Sequence, residues 1–289
     1  MPGQRAKFRV TESQKRQFVE DGYCIFEDVV SDELVALLRQ ECAHFVRRED
    51  TKMDALGVDQ IGITHRGKRY HAAFCFRERA ALGKYLFSEA MGEICRALVG
   101  PDTFLFFDGF VVKGAEAGMK LAWHQDSGYV NAVDGDIGHK PYITCWCPLD
   151  DVTEENGTIY VLPMSESGIK TCVLHEFDPL SNDWVGYFGP LKGTPVIAKA
   201  GSLAVFSSLT MHSSGANTTP RLRRAFISQY SPEPVLTADG AMLWANAVPF
   251  LKDGRSVVGT SGPDKPHRID LLSNANEKLD ANRERTLQS

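Results

Sequence analysis

Two stretches carry side chains whose types and spacing could do chemistry. "LAWHQDSG" sets His124 and Asp126 two residues apart among apolar and aromatic neighbours, and "GSLAVFSSLTMHSSGANTTPRLRRAF" holds His212 followed, eleven residues on, by Arg223. Read as a strand, the first run places His124 and Asp126 on one face and turns Trp123 and Gln125 to the other. A carboxylate in an apolar strand is costly when unpaired, and a bound cation offsets that cost directly. The pair alone is a weak signal: eight histidines and 37 acidic residues in 289 give about one His-x-acid pairing by chance. His212 on a later β-rich run strengthens it. Two imidazoles and a carboxylate form the facial triad that holds non-heme Fe(II) and leaves positions open for a bidentate co-substrate and O2. The same donors also bind zinc, so a zinc-dependent hydrolase or isomerase is an alternative, as is a catalytically inactive binding module. The zinc reading leaves Arg223 unexplained, and the intact ligand set argues against an inactive module.

The elements that must position these residues follow from patterning. Thr11 with Gln14 forms a capping box for a first helix, and Ser31 caps a second whose Leu34, Val35, Leu37, Leu38, Cys42 and Phe45 recur at helical spacing. "YCIFEDV" between them reads as a strand. Residues 47–70 mix charges with weak periodicity and are expected to form a loop or lid. A helix then closes on "SEAMGEICRALVG", capped by Ser88 and stopped by Gly100. From Thr103 the texture becomes short β-rich runs punctuated by Gly, Pro and Asn, the pattern of an antiparallel sandwich or barrel. The stretch 164–193, with Trp184, Tyr187 and Phe188, is read either as part of a pocket wall or as an aromatic cluster over a sheet edge. "DDVTEENG" is an acidic run whose Asn156-Gly157 marks a turn.

On these residues the chain resembles the phytanoyl-CoA dioxygenase family of Fe(II)- and 2-oxoglutarate-dependent oxygenases. The resemblance runs from "FVEDGYCIFEDVVSDELVALLRQ" through "HQD" and "WCPLDDVTEENGTIYVLP" to "AGSLAVFSSLTMHSSGANTTPRLRRAFISQY". It implies a mostly β fold with flanking helices (α+β), built on a double-stranded β-helix (jelly-roll, cupin-like) core. It implies iron ligation by His124, Asp126 and His212, and binding of 2-oxoglutarate by Arg223, with Arg224 at a position often basic in relatives. Ser214 and Trp146 fall where the family places a hydroxyl and an aromatic near the co-substrate. The implied reaction consumes O2 and 2-oxoglutarate and oxidises a C–H bond of a small molecule, releasing succinate and CO2. The carboxylate of Asp126 favours hydroxylation over halogenation, which needs that position vacated. One departure is the turn "PMSES", Pro163 to Ser167, where relatives read "PGSH"; Met164 there lacks the freedom of glycine to take a positive φ.

Composition bounds the rest. The 43% hydrophobic chain is expected to bury one core as a single dioxygenase domain over residues 1–289, with a mainly helical part to 100, a β-helix core over 101–235 and a C-terminal extension beyond. A net charge of −5 leaves no basic field for a phosphate backbone, so no nucleic-acid partner is expected. No apolar run approaches ~20 residues and the opening residues lack a signal-peptide core, so no membrane span and a cytoplasmic location are expected, as monomer or homodimer. The seven cysteines are scattered without a CxxC pair and read as buried thiols, Cys145 and Cys147 facing opposite to Trp146. His44, His65, His71, His139, His175 and His267 read as surface or core. The basic "HRGKR" run reads first as a solvated loop and second as a contact for an acidic ligand, and the polar stretch after Leu272 as a frayed tail.

Overall fold

The computed structural model describes residues 8–258. The expected tail after Leu272 lies outside them, as does His267. Six helices, α1 (Glu12–Asp21), α2 (Asp32–Leu56), α3 (Gly83–Leu86), α4 (Glu89–Leu98), α5 (Asp126–Asp134) and α6 (Met164–Ser167), flank sixteen short strands. These are β1 (Tyr23–Phe26), β2 (Gln60–Ile61), β3 (Thr64–His65), β4 (Arg69–Ala73), β5 (Thr103–Lys113), β6 (Leu121–His124), β7 (Ile143–Pro148), β8 (Ile159–Leu162), β9 (Glu176–Asp178), β10 (Asp183–Val185), β11 (Thr194–Pro195), β12 (Leu203–Ser207), β13 (Met211–Ser214), β14 (Arg223–Ser231), β15 (Val248–Lys252) and β16 (Arg255–Ser256). All strand pairings are antiparallel. A ten-stranded sheet runs β1-β12-β7-β14-β5-β4-β3-β2, with β15 and β16 attached through β5, and a four-stranded sheet runs β11-β8-β13-β6. The result is a jelly roll with helices packed on the outer face of the larger sheet. No helix of the described residues is long and apolar enough to cross a membrane.

Period-two alternation divides the large sheet between two cores. Leu203, Val205, Cys145 and Cys147 point outward to Leu38, Cys42 and Phe45 of α2. Ala204, Phe206 and Trp146 point inward to Ile159 and Val161 of β8, in the space between the sheets. Cys145 and Cys147 thus face opposite to Trp146, as their spacing predicts. Six of the seven cysteines are buried and all are unpaired.

The caps form as expected: Thr11 and Gln14 make the capping box of α1, and Ser31 and Ser88 accept from Leu34 and Met91 to start α2 and α4. Residues 47–70 are not a loop. The helix α2 continues to Leu56 and ends on Gly57 in the left-handed region (φ 67), and β2, β3 and the start of β4 follow. The apolar stripe Cys42–Phe45 does continue, but through Glu49 and Met53. A carboxylate occupies a buried stripe position because Arg48 pairs with it, and that pair hides the helical period. The "PMSES" turn needs no positive φ at Met164; it winds into α6, and Gly168 takes the left-handed conformation instead (φ 69). The acidic "DDVTEENG" run forms the turn between β7 and β8, with Thr153 N–H donating to Asn156 Oδ1 at 2.9 Å.

Candidate metal centre and anion pocket

Antiparallel register brings the two histidines together. His124 ends β6, His212 lies on β13, and the two are direct cross-strand partners, their rings 4.1 Å apart. Asp126 arrives by a different route from the one its spacing suggests. The strand stops at His124, Gln125 is extended (φ −108, ψ 142), and Asp126 is the first residue of α5. His124 and Asp126 therefore converge through a strand-to-helix turn, where the helix N-terminus favours a carboxylate. His212 Nε2 lies 3.8 Å from Asp126 Oδ1. One ligand atom from each of His124, Asp126 and His212 falls within 4.8 Å of the others, a spacing that a small adjustment closes around one cation.

Hydrogen bonds set the tautomers. Nδ1 of His124 lies 2.7 Å from Ala122 O and Nδ1 of His212 3.0 Å from Thr210 O. A carbonyl only accepts, so both Nδ1 atoms carry the proton and both Nε2 lone pairs face the shared space, as a metal-binding imidazole requires. Burial pushes His124 down to about 3, helped by His212, and His212 down to about 4, so both rings are neutral at physiological pH. Burial also raises the Asp126 carboxyl, against the pull of His124 and the Thr144 hydroxyl. Thr144 Oγ1 donates to Asp126 Oδ2 and accepts from Gln229 Nε2 at 3.0 Å, a relay that orients the carboxylate.

The turn is anchored beneath the site. Gln125, fully buried, donates to Thr171 O (2.9 Å) and Leu209 O (2.6 Å) and accepts from Val173 N–H (2.8 Å). His175 donates from Nδ1 to Val173 O and accepts the Gln125 N–H at Nε2, each at 2.9 Å. His175 is thus a core residue, as expected, although it underpins the metal site. Tyr129 on α5 sets its ring edge-on to His124 at 5.1 Å, and the backbone N–H of Trp184 in β10 donates to the Tyr129 hydroxyl at 3.5 Å. The 164–193 stretch therefore flanks the site, with the Trp184 ring tilted against Phe177 at 5.2 Å, while Phe188 stays 71% exposed.

The second feature is a cationic pocket at the opening of β14. Arg223 is 1% exposed and donates from Nη2 to Gly157 O at 2.6 Å, while its Nε and Nη1 have no partner. Trp146 of β7 lies beside it, the guanidinium carbon 5.6 Å from the ring centroid. Burial lowers Arg223 to about 10, so it stays charged. A buried cation with two unmet donors is a site built for an anion. Ser214 follows His212 by two on β13 and shares its face. Arg224 leaves the opposite face and pairs with Asp150, Nε to Oδ2 at 3.0 Å. The "HRGKR" run is a hairpin: Arg66 pairs with Asp59 at 2.8 Å, and Arg69 is buried against Asp183, also at 2.8 Å. The solvated-loop reading thus fails for Arg69, because a carboxylate more than a hundred residues away neutralises it.

Sequence reasoning missed Thr144, Gln229, Gln125 and Tyr129. Alternation along β7 carries the first signal, since Thr144 shares the inward face of Trp146. Gln125 was visible only as the middle of "HQD".

Comparison with known proteins places the chain in a family. The family model of phytanoyl-CoA dioxygenase (PhyH) matches residues 18–225. L-proline trans-4-hydroxylase of Streptomyces griseoviridis is 25% identical over 235 residues, covering 75% of this chain and 85% of that protein. Ectoine dioxygenase of Bordetella parapertussis is 24% identical over 235 residues, covering 73% and 72% respectively. The crystal structure of EvdO2 from Micromonospora carbonacea var. aurantiaca, complexed with 2-oxoglutarate, shares the fold with a TM-score of 0.61 at 20% identity, covering 78% of this chain and 92% of that one. By the extent of the family match, the chain belongs to the phytanoyl-CoA dioxygenase family.

Proposed function

We propose that the protein is an Fe(II)- and 2-oxoglutarate-dependent oxygenase that hydroxylates, or otherwise oxidises at a C–H bond, a small organic molecule. In this reading His124, Asp126 and His212 hold iron, Arg223 takes the distal carboxylate of 2-oxoglutarate, and Ser214 and Trp146 line the co-substrate. Membership of the family and the names of the relatives support the reaction class. The observation that carries the reading is the pairing of two features in one inter-sheet space: a His/Asp/His cluster with both Nε2 atoms free, and a buried Arg with two N–H groups unmet.

Bound iron would supply the activation of O2, the oxidant, whose reduction would draw two electrons from 2-oxoglutarate, giving succinate and CO2, and two from the substrate, giving the oxidised product. The chain's own residues do the rest. Neutral imidazoles offer lone pairs without first losing a proton, and the Thr144–Gln229 relay holds one Asp126 oxygen so that the other faces the ligand space. Arg223 presents a planar fork that grips a carboxylate through parallel charge-assisted hydrogen bonds, which a Lys cannot reproduce. Trp146 walls that end and Phe206 lies against the His212 ring, 4.5 Å away, apolar surface that excludes water and strengthens the ion pair. His124, Asp126 and His212 would hold the ion through two imidazoles and one carboxylate, a donor set suited to an iron that also takes a co-substrate.

The test is substrate-independent turnover: wild-type protein with Fe(II), ascorbate and O2 should slowly convert 2-oxoglutarate to succinate, and Asp126→Ala should abolish it. Zinc-dependent turnover without O2 would instead support a hydrolase on the same scaffold.

A further inference from the structure

Three basic side chains lie side by side at the end of the site that holds Arg223. In strand register Arg69 of β4 faces Lys113 of β5, and Lys113 faces Arg223 of β14, so the three side chains leave one face of the sheet. None is more than 1% exposed. Their partners are unequal. Arg69 is saturated by Ile63 O (2.7 Å), Lys120 O (2.8 Å), Ser181 O (2.9 Å) and the Asp183 carboxylate. Arg223 has the two unmet donors already described. Lys113 Nζ donates to Met119 O at 2.6 Å and to Gly215 O, two acceptors for an ammonium that carries three donors.

Those two carbonyls are placed to matter. Met119 lies just before β6, which ends on His124, and Gly215 directly follows β13, which carries His212 and Ser214. One buried amine therefore clasps the ends of both histidine-bearing strands beside the strand that carries Arg223. The charged groups facing it are Arg223 from β14, Arg69 from β4, Lys120 ahead of β6 and Asp183 from β10, and that carboxylate is already taken by Arg69. Burial and the two guanidiniums push Lys113 down to about 5, so with no anion on Arg223 the amine is neutral at physiological pH.

We propose that Lys113 is a positioning residue for the dicarboxylate co-substrate: it clasps the ends of the β6 and β13 strands beside Arg223 and takes up a proton when a carboxylate settles there. The inference rests on the oxygenase reading above. The step is a protonation only, in which the free amine and one solvent proton give the ammonium and no bond to the co-substrate forms. The anion brings negative charge beside Lys113 where only Arg223 stands unpaired, which shifts the balance from amine to ammonium.

The experiment is calorimetric titration of anaerobic Fe(II)-loaded protein with 2-oxoglutarate near neutral pH, in two buffers of different ionisation enthalpy, which yields protons taken up per ligand bound. Wild type is expected to approach one proton. Lys113→Met is expected to bring uptake close to zero and to raise the 2-oxoglutarate Kd about tenfold. Where the Met variant fails to fold, Lys113→Gln, whose amide cannot be protonated, gives the same readings, and the wild-type measurement stands without either. A merely structural lysine would lower Tm without changing proton uptake. Binding without uptake in wild type, or uptake that persists in the variants, overturns the role of Lys113 and leaves the oxygenase reading intact. Wild type that binds no 2-oxoglutarate overturns both.

Discussion

Replacing Thr144 by Val tests how Asp126 is held. The two side chains are nearly isosteric and both β-branched, so the change keeps the shape of a site that is 2% exposed and removes only the hydroxyl. Two contacts vanish: the donation from Thr144 Oγ1 to Asp126 Oδ2 and the 3.0 Å bond from Gln229 Nε2. A hydrogen bond to a charged group contributes about 1.5–3 kcal/mol. The carboxylate keeps its charge but gains rotational freedom, and its Oδ2 competes with Oδ1 for the metal. Loss of a partner behind a metal ligand typically weakens affinity by ~10–100-fold, which at ~1.4 kcal/mol per decade matches the energy of the lost bond. Anaerobic Fe(II) titration followed by quenching of Trp fluorescence should therefore give a Kd raised by one to two decades. The free Gln229 amide should lower stability by about 1 kcal/mol, seen as a small fall in Tm. A Kd within twofold of wild type, with the fold retained, would refute the claim that this relay orients the carboxylate.

Other perturbations separate the parts of the site. Arg223→Lys should raise the 2-oxoglutarate Kd by about 10–100-fold while leaving Fe(II) affinity unchanged, because a point charge cannot make the bidentate grip; titration of the co-substrate at saturating iron reads both. In Gly128→Ala the added methyl would meet the His175 ring 2.0 Å away, so the ring that accepts from Gln125 must move; lower Tm and weaker Fe(II) binding are expected together. Asp183→Asn leaves Arg69 as a buried cation with a neutral partner and should destabilise by about 3–5 kcal/mol in chemical denaturation, whereas Arg69→Met with Asp183→Leu should recover much of that loss. For pH, the folded-state values of His124 and His212, about 3 and about 4, lie below the ordinary 6.5. Between those limits the unfolded chain binds more protons than the folded one. The stability they contribute is present above about 6.5 and is lost on acidification, partly offset by the raised carboxyl of Asp126. Tm of the metal-free protein should accordingly drop as pH falls through this window, and His212→Gln should flatten the slope; an unchanged Tm would contradict the burial of neutral rings.

Local chemistry made much of this fold legible before any coordinates. Caps at Thr11, Ser31 and Ser88 and the two-residue period of "GSLAVFSS" each state a local requirement that the chain then meets. What escaped was set by partners distant in sequence. Glu49 interrupts an apolar stripe; its partner Arg48 is adjacent, but Arg48 is itself held by Glu78 from outside the helix. Arg69 sits in a run that looks solvated until Asp183 is folded against it. Asp126 joins the two histidines from a helix and not from the expected strand, because the anchoring of Gln125 by Thr171, Val173 and Leu209 turns the chain out of the strand. Cross-strand register, which puts His212 opposite His124 and Lys113 between two arginines, has no local signature at all.

The most direct test of the proposed chemistry needs no substrate. Metal-free protein is made anaerobic, loaded with Fe(II), and 2-oxoglutarate is added while the visible spectrum is recorded for the weak charge-transfer band of an iron-bound 2-oxo acid. The band should appear in wild type, vanish in His212→Ala, and require far more 2-oxoglutarate in Arg223→Ala. Wild type that shows no band and instead retains zinc tightly would contradict the oxygenase assignment.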